Sequence, residues 1–489
     1  MKGFRDRVLG AGSVASGAGL RMAATAAVCA LIGLLCLGLA RPAEPRYAVD
    51  WAKLEPEILD HFTALLRIDT TNPPGNETKA AQAVEAVLKR EGIPVQLYAL
   101  EPGRANLVAR LKGNGSKRPI LLLGHTDVVG VQRDRWSVDP FAAVPRNGII
   151  YARGANDDKD HVVAAMMVLL ELKRLHVKLD RDVIFLAEAG EEGTTRVGID
   201  YMVSQHWPEI EAEYALAEGG STLEENGQVH HVLITVSEKV PRGVRLVARG
   251  PSGHGSRPSP DNAVAHVAAA VSKAATWQTP IRFNEATRAY FERLAAISPQ
   301  RDAARYRALF DPARTADVDR YFFKNEPGHY TMLRTSVVPT MIQAGFRANV
   351  IPSQAEAYLD IRALPDEDMG KFLGELRRVI NDPAVEMVPT QGGGRPAAPP
   401  SSMDSAVFHA FETVSQKMFH APVIPGMLAG ATDCAQLRAK GVACYGFGPI
   451  SGSEGPLGGA HSDDENISIQ ALDRLVEFLW DTVIEVAAE

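Results

Sequence analysis

Five residues of this chain share a chemistry and a placement: His125, Asp157, Glu192, Glu218 and His461. Each lies beyond an apolar run, where a strand is expected to end. His125 closes Pro119-Ile-Leu-Leu-Leu-Gly-His125, a run apolar enough to be a strand buried on both faces. Asp157 follows Ile149-Ile-Tyr151, Glu192 follows Val183-Ile-Phe-Leu-Ala187, and Glu218 follows Tyr214-Ala-Leu-Ala217. His461 lies beyond Val442-Ala-Cys-Tyr-Gly-Phe447. Open α/β sheets bind ligands outside the carboxyl ends of their strands. Two imidazoles and three carboxylates exceed what one zinc ion needs and approach what two zinc ions sharing a bridging carboxylate need.

Each residue also has a plainer reading. A lone histidine after a strand is often structural, Asp157 and Asp158 could cap a helix, and Glu191 and Glu192 could form a solvated turn between Gly190 and Gly193. The metal reading rests on order, residue type and placement agreeing at once. Asp127, two residues beyond His125 on an extended chain, faces the same side and could accept the second imidazole N–H. Glu191 and Glu192 point differently, so one can bind metal while the other stays free as a general base beside a metal-bound water.

The elements that must position these residues alternate. Helices at Trp51–Leu66 and Lys79–Glu91 precede strands at Val95–Leu100, Asn106–Leu111 and Ile120–Leu123, a helix at His161–Leu175 and a strand at Val183–Ala187. That alternation predicts an α/β fold: a mostly parallel sheet flanked by helices. From Gly243 the pattern changes to period two, the signature of half-exposed strands. Strands are expected at Gly243–Arg249, Thr331–Thr335, Met341–Arg347, Ala355–Arg362 and Ala384–Pro389, with helices at Ala263–Trp277 and Met369–Asn381. This content predicts an inserted α+β lid domain at 241–390, interrupting a catalytic domain at 48–240 and 391–489.

At 489 residues the chain is too long for one core, and its net charge of -7 offers no basic footprint for nucleic acid. Lys2, Arg5, Arg7 and Arg21 precede an apolar run from Met22 to Ala40 that ends in a small-x-small pattern. Residues 1–40 therefore read as a signal peptide or an N-terminal membrane anchor, which predicts an exported or anchored protein touching membrane only through that segment. Cys434 and Cys444 could pair in an oxidising compartment, with two buried thiols as the plainer alternative.

The order Gly124-His-Thr-Asp127, Arg153-Gly-Ala-Asn-Asp-Asp-Lys159, Glu191-Glu192, Glu218-Gly-Gly220, Gly253-His-Gly-Ser-Arg-Pro258, Asn349-Val-Ile-Pro352 and a late His461 resembles the cocatalytic zinc amidohydrolases of peptidase family M-twenty. The resemblance covers nearly all of the chain after about residue 50. It implies that His125 and His461 bind one zinc each, that Asp157 bridges them with its carboxylate, and that Glu192 and Glu218 complete one site each; the peptide bond from Asp157 to Asp158 would be cis. It implies Glu191 as general acid/base, Asp127 behind His125, and His254 reaching the partner's active site in a homodimer to stabilise an oxyanion. Asn349 and Arg362 resemble residues that hold a substrate carboxylate. The stretch 280–330 resembles the longer lid of the larger, carboxypeptidase S-like branch. Where many members have Lys-Gly-Gly, this chain has Lys159-Asp-His161.

The expected reaction is hydrolysis of an amide next to a free carboxylate, in a small peptide or an N-acyl amino acid. Cobalt or manganese in place of zinc stays open, since oxygen-rich sites take several divalent ions. An aminopeptidase or other deacylase, and a non-catalytic binding protein on the same fold, stand as alternatives.

Overall fold

Apolar runs without alternation become central strands, and their direction decides where polar residues collect. Ile120–His125 and Val183–Glu188 are buried at every position. They pair in parallel, with His125 opposite Glu188. On the other side Ile120–His125 pairs in parallel with Tyr214–Ala217, which pairs in parallel with Ala443–Gly446. These four strands end on one side of the sheet, so the loops after them converge there. Among the described residues the sheet has ten strands, and its margins are partly antiparallel: Val95–Ala99 and Ala105–Leu111 at one side, the hairpin of Ser221–Glu225 and Gln228–Glu238 at the other. The computed structural model describes residues 47–390, 394–452 and 459–489. The expected export segment lies outside them, and among the described residues no helix is long and apolar enough to cross a membrane.

The helix Lys159–Arg174 is buried over most of its length and lies against Ile120–His125 and the C-terminal helix Ile469–Ala487. Cys434 and Cys444 form a disulfide, their Cα atoms 5.5 Å apart, so the bridge and not the pair of thiols is the outcome.

Val240–Arg249 leaves the catalytic sheet for a second, antiparallel one, in the order Ser336–Ala344, Gln354–Ala363, Val240–Arg249, Val385–Pro389. Burial alternates strictly along Gln354–Ala363. Its apolar face (Ala357, Leu359, Ile361) packs with Val244 and Leu246 under the helices Ala263–Thr276 and Met369–Ile380. The second helix is capped at its start by Asp368 and ends on left-handed Asn381. The opposite face of Gln354–Ala363 is mostly half-buried, and among the described residues no strand pairs with the outer edge of Ser336–Ala344, which is largely exposed.

Two expectations change. The strand expected at Thr331–Thr335 is instead the end of a helix, Pro327–Met332, and a turn. Arg334 in that turn is buried and donates to the carbonyls of Tyr330 and Thr279, which ties the turn down. The stretch 280–330 does not lengthen the lid. Its helices Glu285–Ile297, Gln300–Ala308, Thr315–Asn325 and Pro327–Met332 enclose an aromatic core of Tyr290, Phe291, Tyr306 and Phe322, which packs on Ile424 and Leu233 of the catalytic sheet. Arg293 fastens this block by donating to Glu412 at 2.6 Å and to the carbonyl of Val423 at 3.0 Å. An amphipathic helix declares an apolar face but not the partner of that face, so the sequence pattern could not assign the block.

Phe291, fully buried, stacks on Phe322 with ring centroids 5.6 Å apart. Phe291→Ala is expected to lower the unfolding free energy by about 3–5 kcal/mol. Chemical denaturation measures this, and a loss under about 1 kcal/mol would separate the helical block from the catalytic core.

Candidate active site

His125 ends its strand facing the carboxyl edge and is almost fully buried. Its Nε2 lies 3.0 Å from Asp157 Oδ1 and 3.9 Å from Glu218 Oε1. The other oxygen of Asp157, Oδ2, lies 3.2 Å from His461 Nε2, which is 2.8 Å from Glu192 Oε1. All five predicted residues thus form one chain of contacts: Glu218, His125, Asp157, His461, Glu192. Asp157 sits at its centre with one oxygen toward each imidazole. The Asp157–Asp158 peptide is cis.

Two of the five arrive differently from the expected strand ends. Ile149–Tyr151 belongs not to the central sheet but to a small one with Val144–Arg146 and Asn466–Ser468. Asp157 is delivered instead at the start of the helix Lys159–Arg174, where Asp158 accepts the His125 backbone N–H at 3.0 Å. His461 sits on a loop in left-handed conformation (φ 65°). Glu465, unremarked in the sequence, anchors that loop. Its buried carboxylate accepts Arg153 and, at 2.8 Å, the backbone N–H of Asn156, so the His461 loop is tied to the loop of Asp157.

Asp127 plays a larger part than expected. The nearest partner of His125 Nδ1 is the Asp127 carbonyl at 3.0 Å, with the carboxylate behind it at 3.5 Å. The carboxylate accepts the backbone N–H groups of Gly190, Glu191 and Glu192 at 2.9, 3.1 and 3.1 Å and the Asn72 amide at 2.8 Å. Asn72 also carried no sequence signal. Burial opposes the charge of Asp127, yet these bonds and His125 hold its pKa below the ordinary value.

The electrostatics of the cluster call for positive charge. Burial, then Asp157, push Glu218 well above the ordinary carboxylate value. Bonds to Asp157 and Glu192 push His461 up to about 10. Burial pushes Glu191 up to about 8 against the pull of Arg395. Imidazole nitrogens and carboxylate oxygens within a few ångströms suit divalent cations of the zinc type. His125, Asp157 and Glu192 bring donor atoms within 4.8 Å of one another, as do His125, Glu191 and Glu218.

The lid residues are not brought to this cluster. His254 is exposed on the two-residue strand Gly253–His254, its Nδ1 2.7 Å from Ser256 Oγ. That strand pairs with Val350–Ile351, which places Asn349 beside it, and the Asn349 carbonyl accepts the Gly255 N–H at 2.8 Å. Arg362 lies at the other end of the lid, opposite Pro241 at the hinge, with Nε 3.1 Å from Asp360. Eight residues of strand, roughly 26 Å, separate Arg362 from Gln354. One chain therefore does not unite Asn349 and Arg362 around a single carboxylate.

Comparison with protein families matches residues 121–485 to peptidase family M20/M25/M40. The chain belongs to that family. As a member of M20 it is an enzyme of the metallopeptidase and amidohydrolase kind. Human N-fatty-acyl-amino acid synthase/hydrolase PM20D1 is 27% identical over 75% of this chain and 74% of its own length. Mouse aminoacylase-1 is 27% identical over 80% of this chain and 86% of its own. The M20 metallo-carboxypeptidase Sso-CP2 from Sulfolobus solfataricus has a similar fold, with a TM-score of 0.69 at 20% identity over 87% of this chain and 98% of that one.

Asp127→Asn keeps the shape of the side chain but turns an acceptor oxygen into a donor facing backbone N–H groups. The expected loss is about 1–3 kcal/mol in unfolding free energy. Denaturant titration of both proteins checks it, and unchanged stability would remove Asp127 from the support of the 190–192 turn.

Proposed function

We propose that this chain hydrolyses the amide bond of an N-acyl amino acid, with a dipeptide as the second substrate class, at a site holding two divalent cations, zinc foremost. The observation that carries the reading is Asp157, whose two oxygens each face a different histidine nitrogen, at 3.0 and 3.2 Å. His125, Asp157 and Glu218 would hold one cation; Asp157, Glu192 and His461 would hold the other. Bound there, cations supply Lewis acidity that lowers the pKa of water and polarises a carbonyl.

The chain's own groups do the rest. Glu191, beside the cluster but outside the ligand chain, takes a proton from the attacking water and passes it to the leaving amine. Asp127 keeps the 190–192 turn in place while the proton moves. The names of PM20D1 and aminoacylase-1 favour an N-acyl amino acid as substrate. Arg362 at the hinge end of the lid would read the free carboxylate.

His254 and Asn349, at the far end, would serve the site of a second copy in a homodimer, His254 donating to the oxyanion. The lid's outer strand Ser336–Ala344 and the loop beyond it support this reading: Val338, Met341 and Ile342 are exposed on an open sheet edge, and Phe346 is 85% exposed. The basic and apolar segment 1–40 supports export or anchoring, and the Cys434–Cys444 bridge supports an oxidising compartment.

The test is hydrolysis of a panel of short- and long-chain N-acyl amino acids, dipeptides and their carboxyl-terminal amides by residues 41–489. Free acids should be cleaved and amides spared. Chelation should abolish turnover, and zinc should restore it at two equivalents per chain. Glu191→Gln should keep both equivalents and lose about 100-fold or more in kcat. Equal cleavage of acids and amides would move the reading to an aminopeptidase. Retained turnover in the Gln variant would remove Glu191 as the base.

Ile342→Lys at the open edge should halve the mass seen by light scattering and lower activity with it. A mass that stays at one chain in both proteins would end the role given to His254.

A further inference from the structure

Arg395 carries no sequence signal beyond its place in Gly394-Arg395-Pro396, on the return from the lid to the catalytic domain. The fold nevertheless buries it, at 11% side-chain exposure, against Glu191. Its Nη2 donates to Glu191 Oε1 and, at 3.3 Å, to the Glu191 carbonyl. Its Nη1 donates to Asp433 Oδ1 at 2.9 Å. Asp433 is itself buried and adjoins bridged Cys434 at the start of the helix Cys434–Ala439, so this end of the contact is stationary. The backbone of Arg395 is tied to the lid hinge, where its carbonyl accepts Arg242 Nη1 at 3.1 Å.

A glutamate on a turn has three side-chain torsions to fix before it can act on one water. Asp127 fixes only the backbone of that turn. Misplacing a reacting group by about 1 Å can cost about 100-fold in rate. We infer that Arg395 is the positioning residue for Glu191, held in turn by Asp433. The guanidinium occupies Oε1 and leaves Oε2 to receive the water proton and hand it to the leaving amine. Arg395 keeps its own protons throughout. With Glu191 and Asp433 on its two terminal nitrogens, the guanidinium is committed to orienting the base and not to binding the substrate carboxylate. Arg395 also makes the hinge and the base mechanically continuous, through Arg242 on one side and Glu191 on the other.

This role rests on the proposed function, so wild type and Glu191→Gln are measured beside the Arg395 variants, as full enzymes with two equivalents of zinc. Arg395→Ala is expected to lower kcat about 100-fold with KM within about twofold. Metal content should be unchanged, and added guanidinium should restore part of the activity. Arg395→Lys should fall between, and Asp433→Asn should lower kcat in the same sense. Guanidinium should not rescue Glu191→Gln. A raised KM at constant kcat would make Arg395 a substrate contact and overturn the inference. Wild-type kinetics in Arg395→Ala would overturn it, as would metal loss or misfolding in both Arg395 variants. If wild type turns over and Glu191→Gln does not, such a result leaves the proposed function standing. If Glu191→Gln turns over normally, or wild type cleaves nothing, the proposed function fails and the positioning role fails with it.

Discussion

Crowding of like charge is the constraint on which this structure depends. Asp157, Glu191, Glu192 and Glu218 converge on one side of a sheet, with Asp127 directly beneath. Carboxylates that close cannot all be ionised in a poorly solvated place without compensation. The compensation comes in three forms. His125 and His461 lie against the oxygens of Asp157, Arg395 lies against Glu191, and backbone N–H groups of the 190–192 turn converge on Asp127. Removing any of these leaves a buried charge unanswered, which costs more than the contact itself contributes.

The scaffold follows from that constraint. Parallel strands end together, so Ile120–His125, Val183–Glu188 and Tyr214–Ala217 deliver His125, the 191–192 pair and Glu218 to one edge. Asp157 and His461 come from loops instead, and loops need anchors. Glu465 supplies one by accepting from Arg153 and from the Asn156 N–H, which ties together two segments about 300 residues apart in sequence. The lid joins the catalytic domain at its hinge, and the helical block from Glu285 to Met332 buttresses the catalytic sheet. Arg282, just before that block, pairs with Asp366 and, at 3.0 Å, with Glu367 of the lid, so the block is fastened to the lid as well as to the sheet.

Much of this was legible because periodicity is a local signal. The uniform burial of Ile120–His125 and the alternation along Gln354–Ala363 correspond to patterns visible in the chain. The helix at Met369–Ile380 falls within one residue of expectation at its end. Thr331–Thr335 misled because β-branched and apolar residues favour strands only where a neighbouring strand is available. Tyr330 and Met332 found an aromatic cluster instead.

The sequence by itself determined residue types, their order and the two periodicities. From these followed an α/β fold with an alternating insertion and the five residues of the cluster. Tertiary structure alone decided which distant groups meet. Arg395, Asp433, Asn72 and Glu465 lie in segments with no pattern, and their roles come from contacts spanning 38 to 312 positions. It also decided that Asn349 and Arg362, thirteen residues apart in the chain, stand at opposite ends of the lid. The reason is physical: a side chain's chemistry is local, whereas the partner that orients or neutralises it is set by how whole elements pack.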